Sequence, residues 1–291
     1  MDFKNLISFK TIAETRSFSK AAIELGYAQS TISFQIKQLE TEFGVPLFDR
    51  IGNQIRLTDA GHILLDYTIR ILSLSDEVKH VIVQDSFPSG MLRIAGINSL
   101  CANMLPQLIK KYSQTFPNVT ISTATLSKQQ VLEKVNNGSA DIGLYMDFET
   151  PSEDVFTAVS IENPLYFICS IKNILCNKET LYLKDLEVVP LIATEPQCCY
   201  REVLMSLFSK NNMSPSILFE SENTEVIKRF VQSDIGISFL PEIAVREELA
   251  DYKLCKLNIT NPIPNVYINV IHKKNQWMTP AIREFFSLFS I

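Results

Sequence analysis

The 291-residue sequence is poor in the residues that build metal centres. It has three histidines, and its six cysteines, at positions 101, 169, 176, 198, 199 and 255, form no Cys-x-x-Cys pair. Structural zinc sites need clustered Cys and His ligands, so the spacing predicts none. We expect free, buried thiols in a reducing compartment, with the adjacent Cys198 and Cys199 as the pair most open to another use.

Long apolar runs are also missing. No stretch approaches the ~18 residues of a membrane helix, and the first eighteen residues lack the apolar core and small-residue cleavage site of a signal peptide. We therefore expect a cytoplasmic protein with no membrane partner.

The composition that remains is that of a multi-domain globular chain. Apolar residues make up 46% and charged residues 20%, enough for two or three domains with hydrophobic cores. The net charge of −5 does not indicate a nucleic-acid binder, although residues 1–60 are neutral and all the excess acid lies beyond them. A case for DNA binding must therefore rest on helix geometry.

The first sixty residues predict three helices and two short strands. Apolar spacing and glycine stops place the helices at 2–15, 20–25 and 29–43, and extended segments at 47–48 and 55–57. Gly26 supplies a positive-φ turn between the second and third helices, Ala22 lets them approach, and Ile32 fills the core between them. This is the helix-turn-helix pattern, with the extended pair as a wing.

The third helix has an unusual outer face. Ile32, Ile36 and Leu39 mark its buried side, which leaves short polar groups and a phenylalanine facing outward instead of the usual charges. Short polar groups reach base edges, an apolar group contacts a thymine methyl, and cations contact phosphates. The predicted DNA contacts are Gln29, Ser30, Thr31, Ser33, Phe34, Gln35 and Lys37, with Arg50, Asn53 and Arg56 from the wing. Two alternatives stay open: Phe34 in a protein contact, and plain surface charge in the wing.

A long helix follows, capped by Thr58 and predicted to run to about Gln84, before a hinge at Ser86–Gly90. Apolar residues alternate along it at spacings of three and four, as in a coiled-coil seam. The predicted dimerisation residues are Leu64, Tyr67, Ile71, Leu74, Val78 and Val81. The alternative is that this stripe packs on its own domain.

From Met91 onward, strands and helices alternate, which predicts α/β units with largely parallel sheets. One continuous helix is expected from Leu100 to Phe116. Ligands in such folds bind where strands end and helices begin, because helix N-termini present free N–H groups. Two corners stand out, at Ile97–Leu100 and Glu195–Arg201.

These motifs together resemble the LysR-type transcriptional regulators. The matching runs are FSKAAIELGYAQSTISFQIKQLE, GVPLFDR and RLTDAG in the first part, and LRIAGINSLCANMLPQLIKKYSQTFPNVTI, ADIGL, ENPLYFICS, TEPQCCYREVL and GISFLPEIAV beyond it. The sequence departs from the usual pattern at four positions. Ala28 and Cys199 stand where Ser is usual, Phe34 where a basic residue is common, and Asp234 where Gly is usual.

The resemblance implies a fold and an assembly. The fold is α/β with a helix-rich winged helix-turn-helix head at 1–60, a linker and dimerisation helix at 61–90, and an effector domain at 91–291. That domain would be a periplasmic-binding-protein-like pair of α/β subdomains, 91–162 with 267–291 and then 163–266. The implied partners are double-stranded operator DNA, a small-molecule effector and further copies in a homodimer or homotetramer, with RNA polymerase as a possible contact.

The resemblance also implies a ligand site. Ser99 corresponds to the Ser or Thr that family members use to hold an effector carboxylate, with a plain N-cap as the alternative. Arg201 lies against the dipole of its helix, so we expect an anionic partner, either the ligand or Glu202 or Glu222. The predicted effector-binding residues are Asn98, Ser99, Leu100, Gln197, Cys198, Cys199, Arg201, Asn223, Thr224 and Phe239.

Two other functions compete with a metabolite-responsive regulator. A regulator sensing thiol oxidation or a metal would use Cys101 with Cys198 or Cys199. An enzyme would use Cys198 or Cys199 as nucleophile, but it needs a nearby base, and the three histidines lie outside the corner motifs. We therefore expect no enzyme, and predict no catalytic residue, no metal ligand and no cofactor.

Overall fold

The structure is a computed structural model that describes residues 2–51, 54–82, 87–148 and 155–289. The chain divides after about residue 86 into two compact units, each taken by itself below. The helices are α1 Phe3–Thr15, α2 Phe18–Leu25, α3 Gln29–Phe43, α4 Asp59–Ile82, α5 Asn98–Asn103, α6 Leu105–Thr115, α7 Lys128–Asn136, α8 Cys199–Lys210, α9 Thr224–Gln232, α10 Glu242–Ala250 and α11 Pro280–Ser287. The strands are β1 Phe48–Ile51, β2 Gln54–Leu57, β3 Gly90–Gly96, β4 Val119–Thr125, β5 Ile142–Asp147, β6 Val155–Asn163, β7 Leu165–Ser170, β8 Leu191–Ala193, β9 Ile217–Glu220, β10 Ile237–Pro241, β11 Leu254–Lys256 and β12 Val266–Lys273.

The first unit is a three-helix head with a two-stranded wing. Gly26 and Gly44 end α2 and α3 with φ of 69° and 71°, a conformation that only glycine adopts without strain. The Ser17 hydroxyl caps α2 by accepting the Lys20 N–H at 3.3 Å. The antiparallel strands β1 and β2 form the wing. The three helices and wing enclose one core, centred on Phe9, Ile12, Ile32 and Leu39.

Helix α4 begins after Thr58, whose hydroxyl accepts the Gly61 N–H at 3.0 Å. Its 24 residues exceed the usual helix length. No helix in the described part of the chain is both long and apolar enough to cross a membrane. Ser86, in the predicted hinge, lies outside the described residues.

The second unit is built on two five-stranded sheets. One has the order β4-β3-β5-β12-β6 and the other β11-β7-β10-β8-β9. Pro164 alone separates β6 of the first sheet from β7 of the second, and the chain returns to the first sheet at β12. Both sheets are mixed: β3, β4 and β5 run parallel, as do β8, β9 and β10, whereas β6, β7, β11 and β12 pair antiparallel. The prediction of largely parallel sheets was wrong, because the two crossings between sheets add antiparallel strands.

Four further differences separate this unit from the sequence-based expectation. The single helix predicted over 100–116 is two helices, α5 and α6, which meet at Met104. Pro106 lies in the first turn of α6, where its missing N–H costs nothing but where a continuous helix would lose a hydrogen bond. Strands β6 and β11 and helix α10 were not predicted.

Candidate functional site

The outer face of α3 carries six of the seven residues predicted on it. Gln29, Ser30, Thr31, Ser33 and Lys37 are exposed, and Phe34 is 61% exposed. Ala28 precedes the helix without a side-chain cap. The face therefore presents hydroxyls, one amide, one ammonium and one aromatic ring to a binding partner.

Gln35 is the exception, and its prediction as a DNA contact was wrong. Its side chain is buried, and its Oε1 accepts the Ser8 hydroxyl at 2.6 Å across the interface between α1 and α3. The spacing of Ile32, Gln35, Ile36 and Leu39 is itself the pattern of an inward helical face, and this signal was available from sequence.

A groove lies between the start of α1 and the outer face of α3. Its volume is about 650 Å³, and its lining includes Asn5, Phe34, Lys37, Gln38 and Thr41. The Asn5 amide donates to Gln38 Oε1 at 3.2 Å and joins the two helices beneath it. Gln38 and Thr41 were not predicted as site residues, although they follow Lys37 by only one and four residues.

The wing is described in part. Arg56 is exposed on β2 and pairs across the strands with Asp49. Asn53 and the side chain of Arg50 lie outside what the structure describes.

The predicted seam on α4 divides into two faces. Leu64 belongs to the head core, and Ile71 packs against that core. Leu64 is therefore unavailable for a dimer seam, so its prediction as a dimerisation residue was wrong. It follows the alternative given above, in which the stripe packs on its own domain. Tyr67, Leu74 and Val78 are 55%, 63% and 50% exposed. The Val81 side chain lies outside the described part.

In the second unit, two strand-to-helix corners from different sheets are in contact. Asn98, at the β3–α5 corner, accepts two hydrogen bonds through Oδ1. The backbone N–H of Thr224 donates one at 3.3 Å and the Thr224 hydroxyl donates the other at 3.1 Å. Thr224 begins α9, where Asn223 Oδ1 caps the next two N–H groups. The predicted residues Asn98, Asn223 and Thr224 are thus brought together.

Ser99 lies beside this contact. It is 1% exposed, and its hydroxyl has no hydrogen-bond partner among the described residues. The alternative of a plain N-cap was wrong, because Ile97 is the N-cap of α5 and no side chain caps the helix. A buried hydroxyl without a partner costs free energy, so such groups often await a ligand or water.

Two predicted site residues belong to the hydrophobic core. Leu100 is fully buried. Phe239 is also buried, and the centroid of its ring lies 4.6 Å from that of Phe167. Neither presents an exposed wall to a ligand.

Arg201, near the start of α8, is neutralised by the protein. Its guanidinium donates to Glu220 Oε1 at 2.5 Å and to the Thr194 carbonyl at 3.2 Å, and it is 7% exposed. The partners expected from sequence, Glu202 or Glu222, were wrong. Glu220 ends β9, which lies beside β8 in the sheet. The pairing of β8 with β9 cannot be predicted from the sequence alone.

The pKa values of the two adjacent thiols at the start of α8 shift in opposite directions. Burial opposes ionisation of Cys198, but hydrogen bonds from the Cys199 thiol and the Tyr200 hydroxyl outweigh it and lower its pKa. Hydrogen bonding to Cys198, and then burial, raises the pKa of Cys199. Among the described groups that shift these two pKa values most, none is a histidine. Gln197, in the same corner, is exposed.

Cys101 faces a different neighbour. Burial raises the pKa of its thiol, and a hydrogen bond to Thr125 opposes that shift. The groups that shift the pKa of Cys198 or Cys199 do not include Cys101. In the part of the chain that the structure describes, no group of three or more His, Cys, Asp or Glu is arranged to hold a metal ion. Nothing here supports the thiol- or metal-sensing alternative at these cysteines.

A charged pair that was not predicted lies near the same corners. Lys128, the first residue of α7, forms an ion pair with Asp147 at the end of β5, and its side chain stays 42% exposed. Both charges act on the Cys199 thiol at the start of α8. The β4–α7 corner follows the same strand-to-helix rule as the two that were predicted, so this residue could have been found.

Comparison with known proteins gives a consistent match along the whole chain. Residues 3–62 match the model of the bacterial regulatory helix-turn-helix proteins of the lysR family. Residues 86–290 match the LysR substrate binding domain.

Individual proteins agree with these models. The chain is 32% identical to the HTH-type transcriptional regulator YwqM of Bacillus subtilis, covering 99% of this chain and 98% of that protein. It is 32% identical to the HTH-type transcriptional activator CmpR of Synechocystis, covering 95% and 91%. Among solved structures, full-length CbnR in complex with its target DNA superposes with a TM-score of 0.70 at 24% identity, covering 99% and 98%. A full-length OxyR variant from Pseudomonas aeruginosa gives 0.76 at 20%, covering 99% and 93%.

Proposed function

Because the chain belongs to the LysR family of DNA-binding transcriptional regulators, we propose how its parts divide the work. Residues 1–60 read operator DNA, residues 61–90 form the dimer, and residues 91–291 bind an effector. Within the last part, one subdomain comprises 91–162 and 267–291 and the other comprises 163–266.

The exposed face of α3 is the observation that carries the DNA-reading proposal. Gln29, Ser30, Thr31 and Ser33 reach base edges, Phe34 contacts a thymine methyl, and Lys37 contacts a phosphate. The groove beside Phe34 extends this surface to Gln38 and Thr41. Arg56, in the wing, contacts the phosphate backbone of the DNA.

Dimerisation rests on the outer stripe of α4. Tyr67, Leu74 and Val78 recur at spacings of seven and four, as in a coiled-coil seam, and half or more of each side chain is exposed. An apolar stripe of this kind gains by pairing with its copy, and two heads then read a two-fold operator.

The effector is a small anionic metabolite bound where the corners of the two sheets meet. The buried Ser99 hydroxyl supplies a donor that has no protein partner among the described residues. The Lys128 ammonium is paired with Asp147 but stays 42% exposed, so a ligand can reach its positive charge. Arg201 is excluded from this role because its side chain is only 7% exposed and is already paired with Glu220. Binding changes how tightly the corners hold together, and hence the angle between the DNA-reading heads.

We also propose that the protein is cytoplasmic and has no catalytic activity. The thiols at the α8 corner lack a histidine base among the groups that act on them. A nucleophile there would have to ionise without that help.

The experiment that tests this function is selection of bound duplexes from a random DNA pool by the full-length chain. We expect an enriched two-fold symmetric sequence. A melting-temperature screen of small metabolites against the same protein should then find a carboxylate that raises the melting temperature and alters binding to the selected duplex. No enriched sequence would contradict the DNA-reading role, and stabilisation by neutral compounds only would contradict the anionic effector.

A further inference from the structure

A buried lysine joins two helices that pack on the second sheet. Lys228 lies on α9, and its side chain is only 4% exposed. Its ammonium forms ion pairs with Glu225 Oε1 at 2.6 Å, on the same helix, and with Glu248 Oε1 at 2.7 Å, on α10. The other carboxylate oxygen of Glu248 is buried and has no partner among the described residues. Lysine is almost never buried to this extent unless it is paired, so the two glutamates account for its position.

Stability alone does not explain why an ion pair joins α9 to α10. Removing charges from water costs free energy that their attraction offsets only in part, and apolar residues of similar size often hold two elements together equally well. The ion pair adds a fixed relation between the helices, because separating them would leave two desolvated charges without partners. We therefore expect α9 and α10 to move together.

One end of this link reaches the proposed effector site. Thr224 is the first residue of α9, and both its N–H and its hydroxyl donate to Asn98 Oδ1. Residues four apart lie on the same face of a helix. Thr224 and Lys228 accordingly share the inner face of α9, where they are 1% and 3% exposed. A change at Asn98 that moves Thr224 therefore moves Lys228 with it.

The other end of the link reaches the point where the chain crosses between the two sheets. The N–H of Glu242, the first residue of α10, donates to the Pro164 carbonyl at 2.8 Å. The N–H of Ile243 donates to Asn163 Oδ1 at 3.3 Å. Asn163 ends β6 and is 3% exposed, and Pro164 alone separates β6 from β7. A movement of α10 therefore acts directly on the crossing about which one sheet would rotate against the other.

We propose that Lys228 is a positioning residue that transmits a change at the Asn98–Thr224 contact to the start of α10. Its use in the response to an effector rests on the proposed function, whereas the coupling is a property of the ligand-free protein. Helix α10 also packs directly on α5, which carries Asn98. Transmission through α5 would persist without Lys228, so substitutions can separate the two routes.

The test measures amide hydrogen exchange in the full-length, ligand-free protein, by mass spectrometry that resolves the N–H groups of Glu242 and Ile243. Exchange of these groups reports local opening at the start of α10. Asn98→Ala breaks the corner contact and should speed their exchange by about two- to thirtyfold, which corresponds to a coupling of about 0.5–2 kcal/mol. When Lys228→Met is already present, Asn98→Ala should leave their exchange unchanged.

Two further variants keep the test independent of folding and of charge alone. Glu225→Gln is the matched control, because it removes the 48% exposed partner of Lys228 within α9 and leaves the link to α10. Asn98→Ala should keep its effect in that background. Lys228→Met combined with Glu248→Met leaves neither of these two charges buried alone, so it should fold even if Lys228→Met does not. In this double variant the effect of Asn98→Ala should also be lost.

Three results would overturn the proposal. Unchanged exchange at Glu242 and Ile243 on making Asn98→Ala in the wild type would show that the corner is not coupled to the crossing. An equal effect of Asn98→Ala with and without Lys228 would assign the transmission to α5. Loss of the effect in Glu225→Gln would assign it to the charge of Lys228 within α9. No effector is added, so failure of the metabolite screen would contradict the proposed effector site and leave these results unaffected.

Discussion

The side-chain oxygen of Asn98 joins the two sheets of the effector domain by accepting both the N–H and the hydroxyl hydrogen of Thr224. Asn98 follows a strand of one sheet, and Thr224 begins a helix that packs on the other. The contact therefore holds the two corners together next to Ser99, whose hydroxyl has no partner among the described residues. An effector that reaches Ser99 must insert beside this contact or replace it.

Asn98→Ala and Thr224→Val should each lower the free energy of unfolding of the effector domain by about 1–2 kcal/mol, because a partly buried hydrogen-bonded group loses its partner. The double variant should cost less than the sum, since both changes remove the same interaction. Chemical denaturation of the four proteins measures this coupling. Gln197→Ala, an exposed polar residue of the neighbouring corner, is the control and should change little. Strictly additive losses would mean that the two residues do not interact.

Gln35→Ala should destabilise the head without altering base preference. The change leaves the Ser8 hydroxyl buried and unpaired, which costs about 1–3 kcal/mol. Thermal unfolding checks the stability, and selection from a random pool checks the preference. Gln38→Ala provides a comparison one turn away on the groove. If Gln35→Ala selected a different DNA sequence while its thermal stability stayed normal, Gln35 would have to contact DNA.

Leu74→Asp with Val78→Asp should yield monomers, because four carboxylates would face each other in a paired seam. Light scattering at several concentrations measures the mass. Ile23→Asp is the matched control, since Ile23 is an exposed isoleucine of α2 away from this stripe, and this variant should stay dimeric. An unchanged mass for the double variant would remove α4 from the interface.

Once an anionic effector is found, Ser99→Ala should lower its binding affinity by about ten- to a hundredfold. The change removes a hydrogen bond to a charged group, which is worth roughly 1.5–3 kcal/mol. The melting temperature of the free protein should hardly change, since the hydroxyl has no partner to lose among the described residues. Calorimetric titration and a melting curve test both statements. Ser238 is another buried serine whose hydroxyl lacks a partner in the described part of the chain, and Ser238→Ala should bind the effector normally. Equal affinities for Ser99→Ala and wild type would move the site elsewhere.

Local chemistry made much of the head predictable. Gly26 and Gly44 end α2 and α3 with positive φ angles, so both bounds of α3 could be predicted from the sequence. The position of Gln35 was missed because a polar residue was assigned outward by type and not by its place in the repeat. Pro106 in a first turn was likewise read as part of one longer helix.

Long-range pairing accounts for the remaining errors. Glu220 neutralises Arg201 only because β9 lies beside β8, and Asn98 meets Thr224 only because two sheets bring their corners together. Nothing in the spacing of either pair along the chain specifies that they meet. The residues of the effector corners could be predicted from the rule that ligands bind where strands end and helices begin. Their hydrogen-bond and ion-pair partners could be identified only from the three-dimensional structure.

The central claim, that the outer face of α3 reads DNA, is tested most directly by measuring the affinity of the full-length protein for its selected duplex over a range of salt. Phe34→Ala should weaken binding about tenfold or more and relax preference at one base pair, as expected for a lost base contact. Lys37→Ala should weaken binding to all duplexes and flatten the salt slope by about one unit, the signature of one lost phosphate contact. Val188→Ala and Lys253→Ala, at exposed positions of the effector domain, should match wild type. Wild-type affinity and slope in both α3 variants would contradict the account.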